Sequence, residues 1–279
     1  MSGGIPRKPR GVPSKRELVE LAKTARHNAS PEALDLVHVT SVGWGRRIVA
    51  AAKIETRHCP VFDRKLVYAF VARPAYRFQD GNSKHHQMNR FPFVFVISPK
   101  ALPAPYHVYP FDTGACVARI YGGAPDPTIY LEEYELTPTI EAGLHHIAWA
   151  FGTKAAYFEG TLIAGLAETF PAWRSVGRGW IDIASLAATG QDRPDARASS
   201  LEIAYEQSID LKQGHVSLAI FPQQLLEDVR GDNTEFLKEI TKLGLITKTY
   251  DWRPNETPDS FMDEINSIVR RHLEEGGQL

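Results

Sequence analysis

The stretch Leu36-Val37-His38-Val39-Thr40-Ser41-Val42-Gly43-Trp44-Gly45-Arg46-Arg47-Ile48-Val49-Ala50-Ala51-Ala52 changes its period part-way along. Its first five residues are a short β-prone run. After Ser41 the apolar Ile48, Val49 and Ala52 follow a helical pattern, so the segment predicts a strand-turn-helix unit whose helix ends near Lys53-Ile54. Alternate residues of a strand share a face. His38 and Thr40 therefore point together, two polar groups where a strand with one buried face presents apolar ones. A hydrogen-bonded or solvent-facing histidine on a half-buried strand accounts for the triplet taken alone; a functional histidine needs partners from elsewhere.

Downstream, residues 65–71 and 91–97 are rich in Val, Ile, Tyr and Phe and predict two strands, joined by a mobile loop through Asp80-Gly81-Asn82-Ser83. Residues 106–134 alternate short apolar pieces with Pro and Gly and predict irregular structure. Thr137-Pro138 predicts a helix start, the threonine as N-cap and the proline at the first helical position, with Gly152 as its end. Residues 200–209, 215–221 and 245–250 read as strands, and 222–229 and 234–243 as helices. A last helix from around Pro258 is expected to bury Phe261, Ile265, Ile268 and Leu273. Upstream, residues 1–13 mix Gly, Pro and basic side chains and predict a flexible leader, and Ser14-Lys15-Arg16-Glu17 has the spacing of a capping box. The element order lacks regular βαβ alternation. It predicts an α+β fold over a doubly wound one, organised as one domain over residues 14–279.

With 279 residues the chain can bury a large core, and 43% hydrophobic with 23% charged residues is an ordinary globular composition. Lysine and arginine (32) balance aspartate and glutamate (33), so no global basic field advertises nucleic acid, although Arg7-Lys8-Pro9-Arg10 and Arg46-Arg47 are local basic clusters. Two cysteines allow at most one disulfide, no signal-like segment opens the chain, and no apolar run approaches membrane-spanning length; the expected setting is a reducing cytoplasm without a membrane partner. His58-Cys59, His85-His86, Cys116 and His145-His146 lack the paired spacings of zinc sites, so no metal is expected. No Walker loop or dinucleotide fingerprint is present, since Gly43-Trp44-Gly45 is too short for one.

Two further segments carry chemistry. Leu66-Val67-Tyr68-Ala69-Phe70-Val71-Ala72-Arg73-Pro74-Ala75-Tyr76-Arg77 runs from a strand into an aromatic and basic turn, suited to stacking a planar ring and contacting phosphate or ribose. In Ala198-Ser199-Ser200-Leu201-Glu202-Ile203-Ala204-Tyr205-Glu206, alternation puts Ser200, Glu202, Ala204 and Glu206 on one face; a solvated polar face is the commoner cause of such a pattern. Asp112 in Pro110-Phe111-Asp112-Thr113-Gly114 reads first as a turn residue and only second as a catalytic candidate.

A histidine on an early strand, an aromatic on a middle strand and a glutamate on a late strand resemble the His-Tyr-Glu order of the diphtheria-toxin-like ADP-ribosyltransferases. The branch that includes the DNA-targeting ADP-ribosyltransferase toxins is the most similar, over about two thirds of the chain. The resemblance implies a split mixed β-sheet with flanking helices that holds NAD as co-substrate. It implies that His38 and Thr40 bond a ribose, that Tyr68 or Tyr76 stacks on nicotinamide, and that Arg73 holds the diphosphate. Glu202 is the implied catalytic carboxylate, preferred to Glu206 because Ser200 precedes it by two residues. Val71-Ala72 interrupts the aromatic turn, and no tyrosine aligns unambiguously with the stacking position. Arg193 and Arg197 would meet an anionic acceptor. The implied function is mono-ADP-ribosylation of a nucleic acid or protein by a bacterial toxin or defence effector, with an antitoxin or immunity partner. An NAD glycohydrolase and a non-catalytic nucleotide- or partner-binding module are the alternatives.

Overall fold

The structure, a computed structural model, describes residues 5–9, 14–28, 32–75, 81–189, 195–212 and 214–279. The strands are β1 (Leu36–Ser41), β2 (Lys53–Ile54), β3 (Arg57–Cys59), β4 (Arg64–Val71), β5 (Pro92–Ile97), β6 (His107–Tyr109), β7 (Glu202–Tyr205), β8 (Ile209–Asp210), β9 (Val216–Pro222) and β10 (Thr247–Tyr250). The helices are α1 (Glu17–Ala22), α2 (Val42–Ala51), α3 (Thr113–Val117), α4 (Ile140–Ala150), α5 (Lys154–Glu159), α6 (Ser175–Thr189), α7 (Thr234–Leu243) and α8 (Met262–Glu275). The fold is α+β, with a mixed sheet. Contacts gather the chain into two compact units interleaved in sequence, one from Met1–Ala33, Cys59–Arg64 and Ala104–Tyr205, the other from Leu34–His58, Lys65–Pro103 and Glu206–Leu279.

The second unit is built on the strand order β10-β9-β5-β1-β4. Only β9 and β10 run parallel; β9 with β5, β5 with β1 and β1 with β4 are antiparallel. β5 sits in the middle because every residue of Pro-Phe-Val-Phe-Val-Ile is buried, the continuous apolar run of a strand covered on both faces. Its proline takes the first position, where the missing N–H costs least. β1 pairs along its whole length with β5, His38 opposite Phe95 and Thr40 opposite Phe93.

The helix that follows β1 lies against this strand. A Cβ on Gly45 would stand 2.3 Å from the Phe93 ring and 2.7 Å from its Cβ, so α2 reaches its position only with glycine there. Ala52, at φ 52, ends the helix, and β2 then pairs with β8.

In the first unit β6 and β7 pair antiparallel, placing Tyr109 opposite Glu202. The fully buried Trp180 of α6 donates from Nε1 to the carbonyl of Pro110 at 3.3 Å, with Trp149 and Phe151 close around it. Pro6 and Lys8, within the stretch expected to be flexible, are tied down: the Pro6 carbonyl accepts from the Leu131 N–H at 2.9 Å, and the Lys8 N–H donates to Glu132 at 2.8 Å.

Several local expectations are corrected. The capping box does not form: the Ser14 hydroxyl donates to the carbonyl of Glu132, Glu17 accepts from the N–H of Gly177, and the N-cap is Arg16 in the left-handed region. Tertiary partners outcompete the local pair. Thr139, not Thr137, caps α4: it is extended and accepts from the Ala142 N–H at 3.2 Å. Residues 222–229 make only a 3-10 turn (Gln223–Leu226); beyond it Asn233 donates to the Glu227 carbonyl and Asp228 accepts from Asn233 and Thr234, local bonds that divert the backbone from a helix. The strand expected over 200–209 is split into β7 and β8. α8 buries Val269 where Ile268 was expected. Residues 106–134, expected to be irregular, contain β6 and α3.

Glycine to alanine within a helix normally stabilises by about 1 kcal/mol. Gly45→Ala is expected to do the reverse, destabilising by about 1–3 kcal/mol through overpacking on Phe93, read as a lower urea midpoint at unchanged slope.

Candidate functional site

His38 and Thr40 lie on β1, both half-buried. The His38 Nδ1 is 2.7 Å from the carbonyl oxygen of Tyr68, on β4. A carbonyl only accepts, so Nδ1 carries the proton. Burial, the largest effect, and the positive charge of Arg57 hold the imidazole below its usual pKa, against the pull of the Tyr68 bond. It is neutral at physiological pH and Nε2 is left as an acceptor. Tyr68 thus contributes its backbone carbonyl. Arg73, assigned to a diphosphate by resemblance, is buried, 6% exposed, just past the end of β4. Tyr76 lies outside the described residues, as does Arg193. His38, Thr40, Tyr68 and Arg73 belong to the second unit and Glu202 to the first; Glu206 is exposed and opens the last segment of the second.

Glu202 is only 3% exposed, and all four residues of β7 are buried, so the alternation of this strand does not mark a solvated face. Its carboxyl accepts from the N–H of Thr113 at 3.1 Å and from the Thr113 hydroxyl at 2.7 Å, and Oε1 is 3.2 Å from the Nε2 of His107. Burial pushes Glu202 up to about 8 against the lowering effect of both Thr113 bonds, and drives His107 down to about 3. The two therefore hold one proton between them at neutral pH, in a hydrogen bond that is neutral overall.

Thr113 reaches Glu202 because Asp112 starts α3, accepting from the Ala115 N–H at 2.7 Å. Asp112 is itself raised to about 6, by burial first and by the charge of Glu202 second. Arg197 forms a two-pronged pair with Asp195 at 3.0 and 2.8 Å and lies 3.9 Å from Asp112, so it is engaged within its own unit. Sequence reasoning reached Glu202 but missed Thr113 and His107. The available signal was Asp-Thr-Gly after a short apolar run, a helix start whose second residue turns its N–H and hydroxyl to one side.

A second polar region surrounds Trp44 on α2, in the other unit. Ser41, Gly43, Trp44, Arg46, Arg47 and Asn89 line a cleft of about 540 Å³. The guanidinium carbons of Arg57 and Arg47 lie 3.7 and 4.8 Å from the centre of the Trp44 ring.

Both cysteines are buried and neither forms a disulfide, and no three of His, Cys, Asp and Glu converge as a metal site among the described residues. His146 is buried against Trp180 and Trp149, with neither ring nitrogen hydrogen-bonded among the described residues, and burial lowers it to about 3. No helix among the described residues is long and apolar enough to cross a membrane. Comparison with family models, curated proteins and solved structures finds no match to this chain.

The raised carboxyls fix a pH dependence. A group that holds its proton more tightly folded than unfolded stabilises most below its unfolded pKa and loses that contribution as pH rises to the folded value. For Asp112 the loss runs from 3.8 to about 6, and for Glu202 from 4.5 to about 8. Between pH 6 and 8 Glu202 loses its contribution, while His107, His38 and His146, lowered by burial from 6.5, act in the opposite sense as pH rises through that value. The difference in urea midpoint between wild type and Glu202→Gln, in which the histidine contributions are common to both, should therefore fall over that interval. A difference between the two midpoints that stays constant from pH 6 to 8 contradicts a protonated Glu202.

Proposed function

We propose that the protein is an NAD-dependent mono-ADP-ribosyltransferase acting on a macromolecular acceptor, nucleic acid or protein, in the manner of a bacterial toxin or defence effector. The observation that carries the reading is His38, a neutral imidazole pinned through Nδ1 to the Tyr68 carbonyl. Its Nε2 can accept from a ribose hydroxyl without the cost of first losing a proton, and Thr40 shares its strand face. The resemblance in residue order supports the same reading.

In this reaction the bond between the ribose anomeric carbon and the nicotinamide nitrogen breaks, and its electron pair leaves with nicotinamide. The ribose gains oxocarbenium character and is captured by an acceptor nucleophile, which gives up its proton. An ionised carboxylate stabilises the developing charge. Glu202 is assigned that role, and a carboxyl raised to about 8 would ionise more readily once a cationic ligand approached it.

One observation favours a second reading, a nucleotide-binding module without turnover: both Glu202 oxygens are already engaged by Thr113 and His107. Glutamine, with its oxygen on the Thr113 N–H, can donate its amide to His107 and to the Thr113 hydroxyl oxygen, so Glu202→Gln isolates the charge. The transferase reading expects purified protein to release nicotinamide from NAD and Glu202→Gln to lower the rate about 10²–10³-fold, while Glu206→Gln leaves it unchanged. Equal turnover in wild type and Glu202→Gln rejects this assignment. A rise in melting temperature with NAD but no nicotinamide supports the binding module. Labelled ADP-ribose appearing on macromolecules of a cell extract separates transfer from hydrolysis.

A further inference from the structure

The cleft over Trp44 gathers cationic side chains. Arg47 lies one helical turn beyond Trp44 on α2, and Arg57 arrives from β3, so two guanidinium groups from separate elements share one indole. Arg46 leans over Phe236 and donates to the carbonyl of Asp232 at 3.2 Å, which orients it without cancelling its charge. Among the described residues no carboxylate pairs with Arg46, Arg47 or Arg57.

An arginine stacked on an exposed tryptophan is often no more than surface packing, worth about 0.5–1 kcal/mol. Packing alone does not favour bringing a second guanidinium to the same ring, because the two cations repel. Here the indole carries both, and the polar groups around the cleft add donors: the Asn89 amide, and the Ser41 hydroxyl, which does not cap α2. A set of guanidinium forks and neutral donors with no anionic acceptor matches a ligand of several oxygen acceptors and more than one negative charge. Phosphate meets that description better than a single carboxylate.

We propose that this cleft binds the phosphates of a nucleotide, with Arg46, Arg47 and Asn89 of its lining meeting the phosphate oxygens and Arg57, stacked on the same Trp44 ring, joining them. Trp44 acts here as a positioning residue: it removes the entropy of two long side chains before the ligand arrives. The inference does not rest on the NAD reading. A protein that never cleaves NAD still binds phosphate at this cleft, and loss of the cleft leaves His38 and its Tyr68 bond intact.

The test is calorimetric titration of the full chain with inorganic pyrophosphate, ADP and adenosine at fixed ionic strength. Pyrophosphate and ADP should bind and adenosine should not. Arg47→Gln and Arg57→Gln should each weaken pyrophosphate about tenfold. Both arginines are exposed, so these changes leave the core alone. Trp44→Ala removes no charge yet should also weaken binding, by about threefold or more, because it releases the two guanidinium groups. Lysine at position 57 should restore only part of the affinity, lacking the planar fork. A single-stranded oligonucleotide identifies the source: tighter binding than ADP, lost in the same variants, assigns the phosphates to a polynucleotide, and weaker binding assigns them to a free nucleotide. No binding of pyrophosphate or ADP by wild type, or equal binding by wild type and both arginine variants, overturns the proposal. Equal affinity in Trp44→Ala overturns the positioning role.

Discussion

The contact between Gly45 and Phe93 sets the position of nearly everything polar in the second unit. β5 is buried on both faces, and its Phe93 ring admits the backbone of α2 only because residue 45 has no side chain. With α2 seated, Trp44, Arg46 and Arg47 fall on its outer side and Ser41 at its entry. The same strand pairs with β1 along its length and so fixes where His38 and Thr40 point. The packing and pairing of an apolar strand thus decide the placement of a cationic cleft and a neutral histidine.

The two units solve their electrostatics in opposite ways. In the first, Glu202, Asp112 and Asp195 are taken out of water and compensated internally, by a shared proton, a helix start and an arginine fork. Burying a carboxyl is costly, and protonation is the cheaper outcome where no cation stands beside it. In the second, Arg47 and Arg57 keep their charge at the surface on an aromatic support. Buried groups of the first kind specify a structure; exposed unpaired cations of the second kind leave something for a ligand to complete.

The parts of the fold legible in the sequence were those whose signal is local. β1, β4, β5, α2 and α7 each carry a complete pattern within their own few residues. The start of α1 was misplaced because Ser14 and Glu17 found partners far off in sequence, and that of α4 because Thr137 and Thr139 offer the same local cap and spacing does not choose between them. Of the candidate residues, His38 and Glu202 were visible as polar interruptions of apolar strands. Their environments were not. Thr113 and His107 lie about 90 residues before Glu202 in a Pro- and Gly-rich stretch, and nothing in the alternation of β7 reveals that both its faces are covered. Trp44 and Arg57 meet because the chain turns back through β2 and β3, two elements too short to carry a period.

The interleaving of the two units has a consequence for how the chain can be divided. It passes from one to the other at Ala33/Leu34, His58/Cys59, Arg64/Lys65, Pro103/Ala104 and Tyr205/Glu206. No single cut yields a complete unit, and each depends on segments far apart in sequence closing onto one another. Such closure delays the reward of native contacts until long loops have been drawn together, which makes folding slow and exposes the apolar strands meanwhile. Neither half could be handed intact to another protein by simple fusion of a contiguous gene fragment.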